Sequence, residues 1–196
     1  MSARMTPSSL AATIVAVGAL GAFAALAVDD KAPEPALADG AKAFVDVVKV
    51  LQSPRCVNCH PSGDAPHVGD DSHVHAMEVR RGLEKVGMSC QTCHRMTPTA
   101  ASRAPGAPPA VPGWRMPPAE QPMVFQGKSA HDICVAMKDP AQNGGKDAAA
   151  LKEHVSHDNI VLYGFSPGGN RTLPPLKHEE FVARFNAWLD SGMTCP

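Results

Sequence analysis

A chain of 196 residues, 44% apolar and 19% charged, is long enough for one domain of ordinary size and leaves no room for a large multidomain enzyme. Its 18 basic and 19 acidic residues leave a net charge of −1, so it has no basic field of the kind that draws a protein onto nucleic acid. Aromatic residues make up only 5%, while 19 prolines and 16 glycines interrupt the chain, which implies a small side-chain core and much irregular backbone.

From Leu10 to Val28 runs LAATIVAVGALGAFAALAV, nineteen residues without a charge, preceded by Arg4 and followed by Asp29, Asp30 and Lys31. Ala25 and Ala27 form an A-x-A-like site, so 1–27 reads as an export signal cut before Val28. Left uncut, the same run is long enough to anchor the chain in a bilayer. Export places the protein in the periplasm, where disulfides persist. Residues 28–38 (VDDKAPEPALA) are polar and without periodicity, a flexible leader to a single domain over 39–196.

Asp39 can cap a helix over about 41–52, in which Phe44, Val47, Val48 and Leu51 form an apolar stripe before Pro54. That helix delivers the chain to Cys56-Val57-Asn58-Cys59-His60. A less regular helix is expected over 73–84, with Ser72 as its cap and His73, His75, Met77 and Val79 along it. The pentapeptide pattern then recurs as Cys90-Gln91-Thr92-Cys93-His94.

Eight prolines between Pro98 and Pro122 rule out helix and central strand, so this stretch should wrap the surface as extended, turning backbone. Ser129 with Asp132 resembles a capping box for a helix through Ile133, Ala136 and Met137 that stops at Pro140. Asn143, Gly144 and Gly145 make a turn, and Asp147 can cap a helix to about Ser156 with Leu151, His154 and Val155 on one face. A last helix over 177–191 carries the stripe Phe181, Phe185, Trp188 and Leu189, with Gly192 as its stop. No segment alternates as a strand does. The fold class expected is mainly α with much irregular structure and little or no sheet.

Cys-x-x-Cys-His is the attachment signature of c-type haem. Two thiols add across the two vinyl groups of the macrocycle, the two-residue spacer lets both reach from one turn of chain, and the adjacent His faces the iron. Covalent haem is thus expected on Cys56 and Cys59 and on Cys90 and Cys93, with His60 and His94 as proximal iron ligands. A zinc ribbon is the competing interpretation, but it uses a gap of about 15–20 residues between pairs and needs no His after each. Here thirty residues separate Cys59 from Cys90. The motifs start 34 residues apart, too close for a complete domain around the first, so two haems should share one compact core whose apolar macrocycles replace missing aromatic side chains.

The group opposite each proximal His decides between electron transfer and small-molecule chemistry. His75, between the motifs, is the candidate for the first haem, with His73 and Met77 as rivals. His154, on a face with Leu151 and Val155, is the candidate for the second; the alternatives are a core His satisfied by the backbone, or thioether ligation by Met116 or Met123. Cys134 and Cys195 remain, and in an exported protein two leftover thiols most often pair; Cys134 as a haem ligand is the other option.

Several stretches, from about Phe44 to the C-terminus, carry a resemblance: CVNCHPSGDAPHVGD with HAMEVRRG, CQTCH, GWRMPPAEQPMVFQGKS, ICVAMKDPAQNGGK, LKEHVSHDNIVLYGFSPGGNRTLPP and GMTCP. Together they resemble a family of bacterial dihaem c-type cytochromes, often described as a cytochrome subunit of isoquinoline 1-oxidoreductase. The resemblance favours His75 and His154 as ligands, supports pairing of Cys134 with Cys195, and implies a molybdenum hydroxylase as redox partner. Tyr163-Gly164-Phe165 stands where the family tends to have Trp-Gly-Trp. The expected function is a dihaem electron carrier between an oxidoreductase and a downstream acceptor, an electron-transfer subunit with no catalytic residues of its own. The alternative is a small haem enzyme, peroxidase-like or sulfur-oxidising, with an open or labile sixth position. A membrane is a partner only if the N-terminal segment stays uncut.

Overall fold

The computed structural model describes residues 38–94 and 110–196. The expected signal over 1–27, the leader up to Leu37, and Pro98, Pro105, Pro108 and Pro109 of the proline-rich stretch lie outside the described residues.

The apolar stripe read from Phe44 to Leu51 forms α1, Asp39–Leu51, and the closing stripe forms α6, His178–Asp190. The two pack face to face: the rings of Phe44 and Trp188 lie 4.5 Å apart, and neither side chain is exposed. Their contact is close enough that a Cβ on Gly40 would come within 1.8 Å of the Ser191 hydroxyl oxygen. An aromatic row runs on from Trp188 through Phe185 and Phe181 to Phe165, each ring within 6 Å of the next. Fully burying a side chain such as Phe44 or Phe185 is worth about 2–3 kcal/mol, so this short row supplies much of the core energy of an aromatic-poor chain.

Between the paired helices in chain order come α2, Pro54–Val57; a two-residue antiparallel hairpin of β1, His67–Val68, and β2, His73–Val74; and two 3-10 turns, Leu83–Val86 and Cys90–Thr92. Then follow α3, Ala130–Lys138; α4, Ala148–His157; and α5, Asn159–Phe165. Among the described residues the fold is mainly helical with much irregular structure and only this small sheet, as expected. Among the described residues no helix is long and apolar enough to cross a membrane.

Two of the expected helix caps, Ser129 and Asp147, are in place. Ser129 and Asp132 make the reciprocal capping box of α3, and Asp147 accepts the Ala150 amide proton at 2.8 Å to cap α4. Gly192, at φ 80°, ends α6. Cys134, buried on α3, is disulfide-bonded to Cys195, tying the C-terminal tail back to the core.

Two expectations are corrected. Asp39 is not the cap of α1: Ala38 holds that position, and Asp39 sits in the first turn, where its carboxylate meets the helix dipole. The expected helix over 73–84 does not form. Its cap candidate Ser72, and Met77 and Glu78 within it, adopt left-handed backbone (φ 53°, 68° and 51°), and His73–Val74 pair with the preceding strand instead. One further helix, α5, has no counterpart in the sequence reading; Asp158 both closes α4 and caps α5 by accepting the Ile160 amide proton at 2.8 Å.

Candidate functional site

Pro54 opens α2 at a position where its missing N–H costs nothing, and the helical turn continues past the helix end. The amides of Cys59 and His60 both donate to the Cys56 carbonyl, at 3.1 and 3.0 Å. Two thiols and an imidazole are thereby presented from one turn of chain. The second pentapeptide repeats the construction: the amides of Cys93 and His94 donate to the Cys90 carbonyl at 3.2 and 2.9 Å. All four motif cysteines are free thiols, whereas the other two are bonded to each other.

The first turn is braced from outside. Arg55, its side chain only 6% exposed, donates to the Gly69 carbonyl at 2.9 Å and pairs with Asp70 at 2.7 Å. Asn58 donates to the same Gly69 carbonyl, and Asp70 accepts from the hydroxyl and amide of Thr172, at 2.7 and 3.1 Å. A residue 102 positions away thus helps to hold the motif.

His60 donates from Nδ1 to the Met123 carbonyl at 2.7 Å, and its ring stacks on Phe125 with centroids 4.1 Å apart. Because a carbonyl can only accept, the proton is on Nδ1 and the lone pair on Nε2, the tautomer a metal ligand requires. Burial holds the His60 pKa down to about 4, outweighing the Met123 bond, and the charge of His154 adds to the effect. The imidazole is neutral at physiological pH. Burial likewise pushes the Cys56 thiol up to about 12 and Cys59 to about 11, and raises Cys90.

The motifs are brought together around Trp114. Its ring lies 5.0 Å from that of His94 and 5.5 Å from that of Tyr163, and its indole N–H is near enough to the Cys59 sulfur to favour the thiolate. Cys59 is also close enough to Cys90 for the two thiolates to repel. Nonetheless, among the described residues no three His, Cys, Asp or Glu side chains converge as a metal-holding cluster, so the four thiols do not gather in the tetrahedral arrangement of a zinc ribbon.

His75, expected near the first motif, has its ring beside His94 of the second, 6.0 Å between centroids. His73 is exposed and bonded to Asp71 at 2.7 Å, and Met77 is 86% exposed. His154 is half-buried with Nδ1 3.3 Å from Asp158, and its charge acts on His60 of the first motif. Burial lowers its pKa, with Asp158 opposing. Met123 contributes its carbonyl to His60, and Met116 is half-buried in the proline-rich wrap.

Sequence reasoning missed Arg81. Its side chain is 1% exposed, and its guanidinium donates to the carbonyls of Pro61, Gly63 and Pro117 at 3.3, 3.3 and 2.7 Å, with Asp64 at 4.0 Å. It joins the loop after the first motif to the proline-rich wrap. The run of prolines was the signal available, since prolines leave carbonyls without the partners a helix or sheet would give them.

No family model, no curated protein and no solved structure matches the chain.

Proposed function

We propose that the chain is an exported, periplasmic dihaem c-type cytochrome that passes single electrons between an oxidoreductase partner and a downstream acceptor. One observation carries the reading: two Cys-x-x-Cys-His turns with the same backbone hydrogen bonds, each presenting two free thiols and an imidazole, lie on either side of Trp114. The donor set fits haem c. Cys56, Cys59, Cys90 and Cys93 would hold two macrocycles as thioethers, and His60 and His94 would face the irons. The segment between the motifs also exposes Val74, Met77, Val86 and Met88, apolar surface of the kind a macrocycle covers.

When bound, haem iron supplies a reversible one-electron change. The chain's own part is to position and insulate. The Met123 carbonyl fixes the His60 tautomer and Phe125 fixes its ring plane; Trp114 packs its ring against His94 of the second motif. The apolar N-terminal run and the Cys134–Cys195 bridge support an oxidising compartment. The family resemblance supports a molybdenum hydroxylase as the electron donor.

Expression in a host competent in cytochrome c maturation tests this. Intact mass should give a chain beginning at or near Val28 plus two haem masses, and the reduced protein should neither bind carbon monoxide at neutral pH nor turn over peroxide. A colourless, zinc-loaded product overturns the reading. Stoichiometric carbon monoxide binding with peroxide turnover moves it to the haem enzyme.

A further inference from the structure

Resting on the proposed function above, we infer that His75 and His94 are the two axial ligands of one iron, so that the histidine between the motifs serves the second attachment site and not the first. The two rings lie 6.0 Å apart at 72°. A metal–imidazole bond of about 2 Å on each side of an ion, extended to the ring centres, spaces two trans imidazoles by about 6 Å.

The His75 side chain is already in the form a ligand needs. Its Nδ1 donates to the carbonyl of Ala76, which can only accept, so the Nε2 lone pair is left for a metal. Its backbone is fixed as well: the His75 amide donates to the Pro66 carbonyl at 2.9 Å, directly after the His73–Val74 strand. The ring is therefore carried by a hydrogen-bonded hairpin that turns it toward His94.

The neighbours in sequence do not compete. His73 is engaged with Asp71, and Met77 stands 86% exposed on left-handed backbone. Nor does chain order place His75 at the first motif, where Phe125 stacks on His60.

The test uses the haem-loaded protein and spectroscopy. His75→Ala should turn one of the two haems high-spin and open it to carbon monoxide. His75→Met, which keeps a ligand and guards against misfolding, should give the long-wavelength thioether-to-iron charge-transfer band at one haem. Both effects should persist in a Cys56→Ala/Cys59→Ala chain carrying only the second haem. They should vanish from a Cys90→Ala/Cys93→Ala chain carrying only the first. Changes that follow the first haem, or parent spectra in both His75 variants, overturn the pairing while leaving the dihaem reading intact. A parent chain that takes up no haem in a competent host removes the dihaem reading itself.

Discussion

His60 and Met123, 63 residues apart in the chain, are joined by a 2.7 Å hydrogen bond from the imidazole Nδ1 to the backbone carbonyl. The bond comes from the proline-rich wrap, so the segment with least secondary structure sets the tautomer of the first motif's imidazole. Phe125, two residues on, covers the same ring and is itself buried. Replacing Phe125 with Ala should lower the unfolding free energy by about 3–5 kcal/mol. Phe125→Leu should recover most of that, while the loss of a stacked face should still broaden the His60 ring resonances. Denaturant titration and NMR measure the two effects separately.

The half-buried thiols of the first turn should be slow. With Cys56 near 12 and Cys59 near 11, the thiolate fraction at pH 8 is about one in a thousand or less. Cys93 is exposed. In a chain made without haem attachment, timed alkylation followed by peptide mass mapping should label Cys93 well before Cys56 and Cys59. Equal rates at all three would contradict the burial of the first turn.

Arg81 should behave as a clamp. Arg81→Met removes the donors from the carbonyls of Pro61, Gly63 and Pro117; the exposed Gly63 carbonyl can turn to water, while each part-buried acceptor left without a donor costs about 1–3 kcal/mol. A loss of about 2 kcal/mol or more is expected by chemical denaturation. Arg81→Lys keeps the charge without the planar fork and should restore only part of it.

Asp70 gives a pH signature. Hydrogen bonds from the Thr172 hydroxyl and amide, with the nearby Arg55 charge, hold its carboxyl below the usual range. A carboxylate whose folded value is depressed adds stability above its unfolded pKa of about 4 and loses it as pH falls through the lower folded value. The gap in denaturation midpoint between the parent and Asp70→Asn should therefore be full at neutral pH and close below about pH 4. A gap independent of pH would show that the Thr172 contact carries no charge dependence.

The Cys134–Cys195 bridge closes a span of 61 residues, for which loop entropy gives about 4 kcal/mol. Paired replacement by Ala should lower stability by about that much, and non-reducing peptide mapping should recover the linked peptides directly.

The amino-acid sequence by itself determined what depends on neighbours within one or two turns. The Cys-x-x-Cys-His spacing dictates thiols and imidazole on one turn; Ser129 with Asp132, and Asp147, announce their helix starts; and the stripe from Phe181 to Leu189 announces a buried helix face. Each is a short-range interaction whose partners are adjacent in the chain. The stretch from Ser72 to Glu84 misled because its residues take their conformation from the strand pairing of His73–Val74 with His67–Val68, which no helical count registers. Only the tertiary structure decided that His75 meets His94, that Met123 and Phe125 hold His60, that Trp114 stands between the motifs, and that Arg81 gathers the carbonyls of a proline-rich wrap. These contacts join residues from 19 to 65 positions apart, and what selects them is the satisfaction of buried polar groups and ring faces once the chain has closed on itself, a condition with no local pattern to announce it.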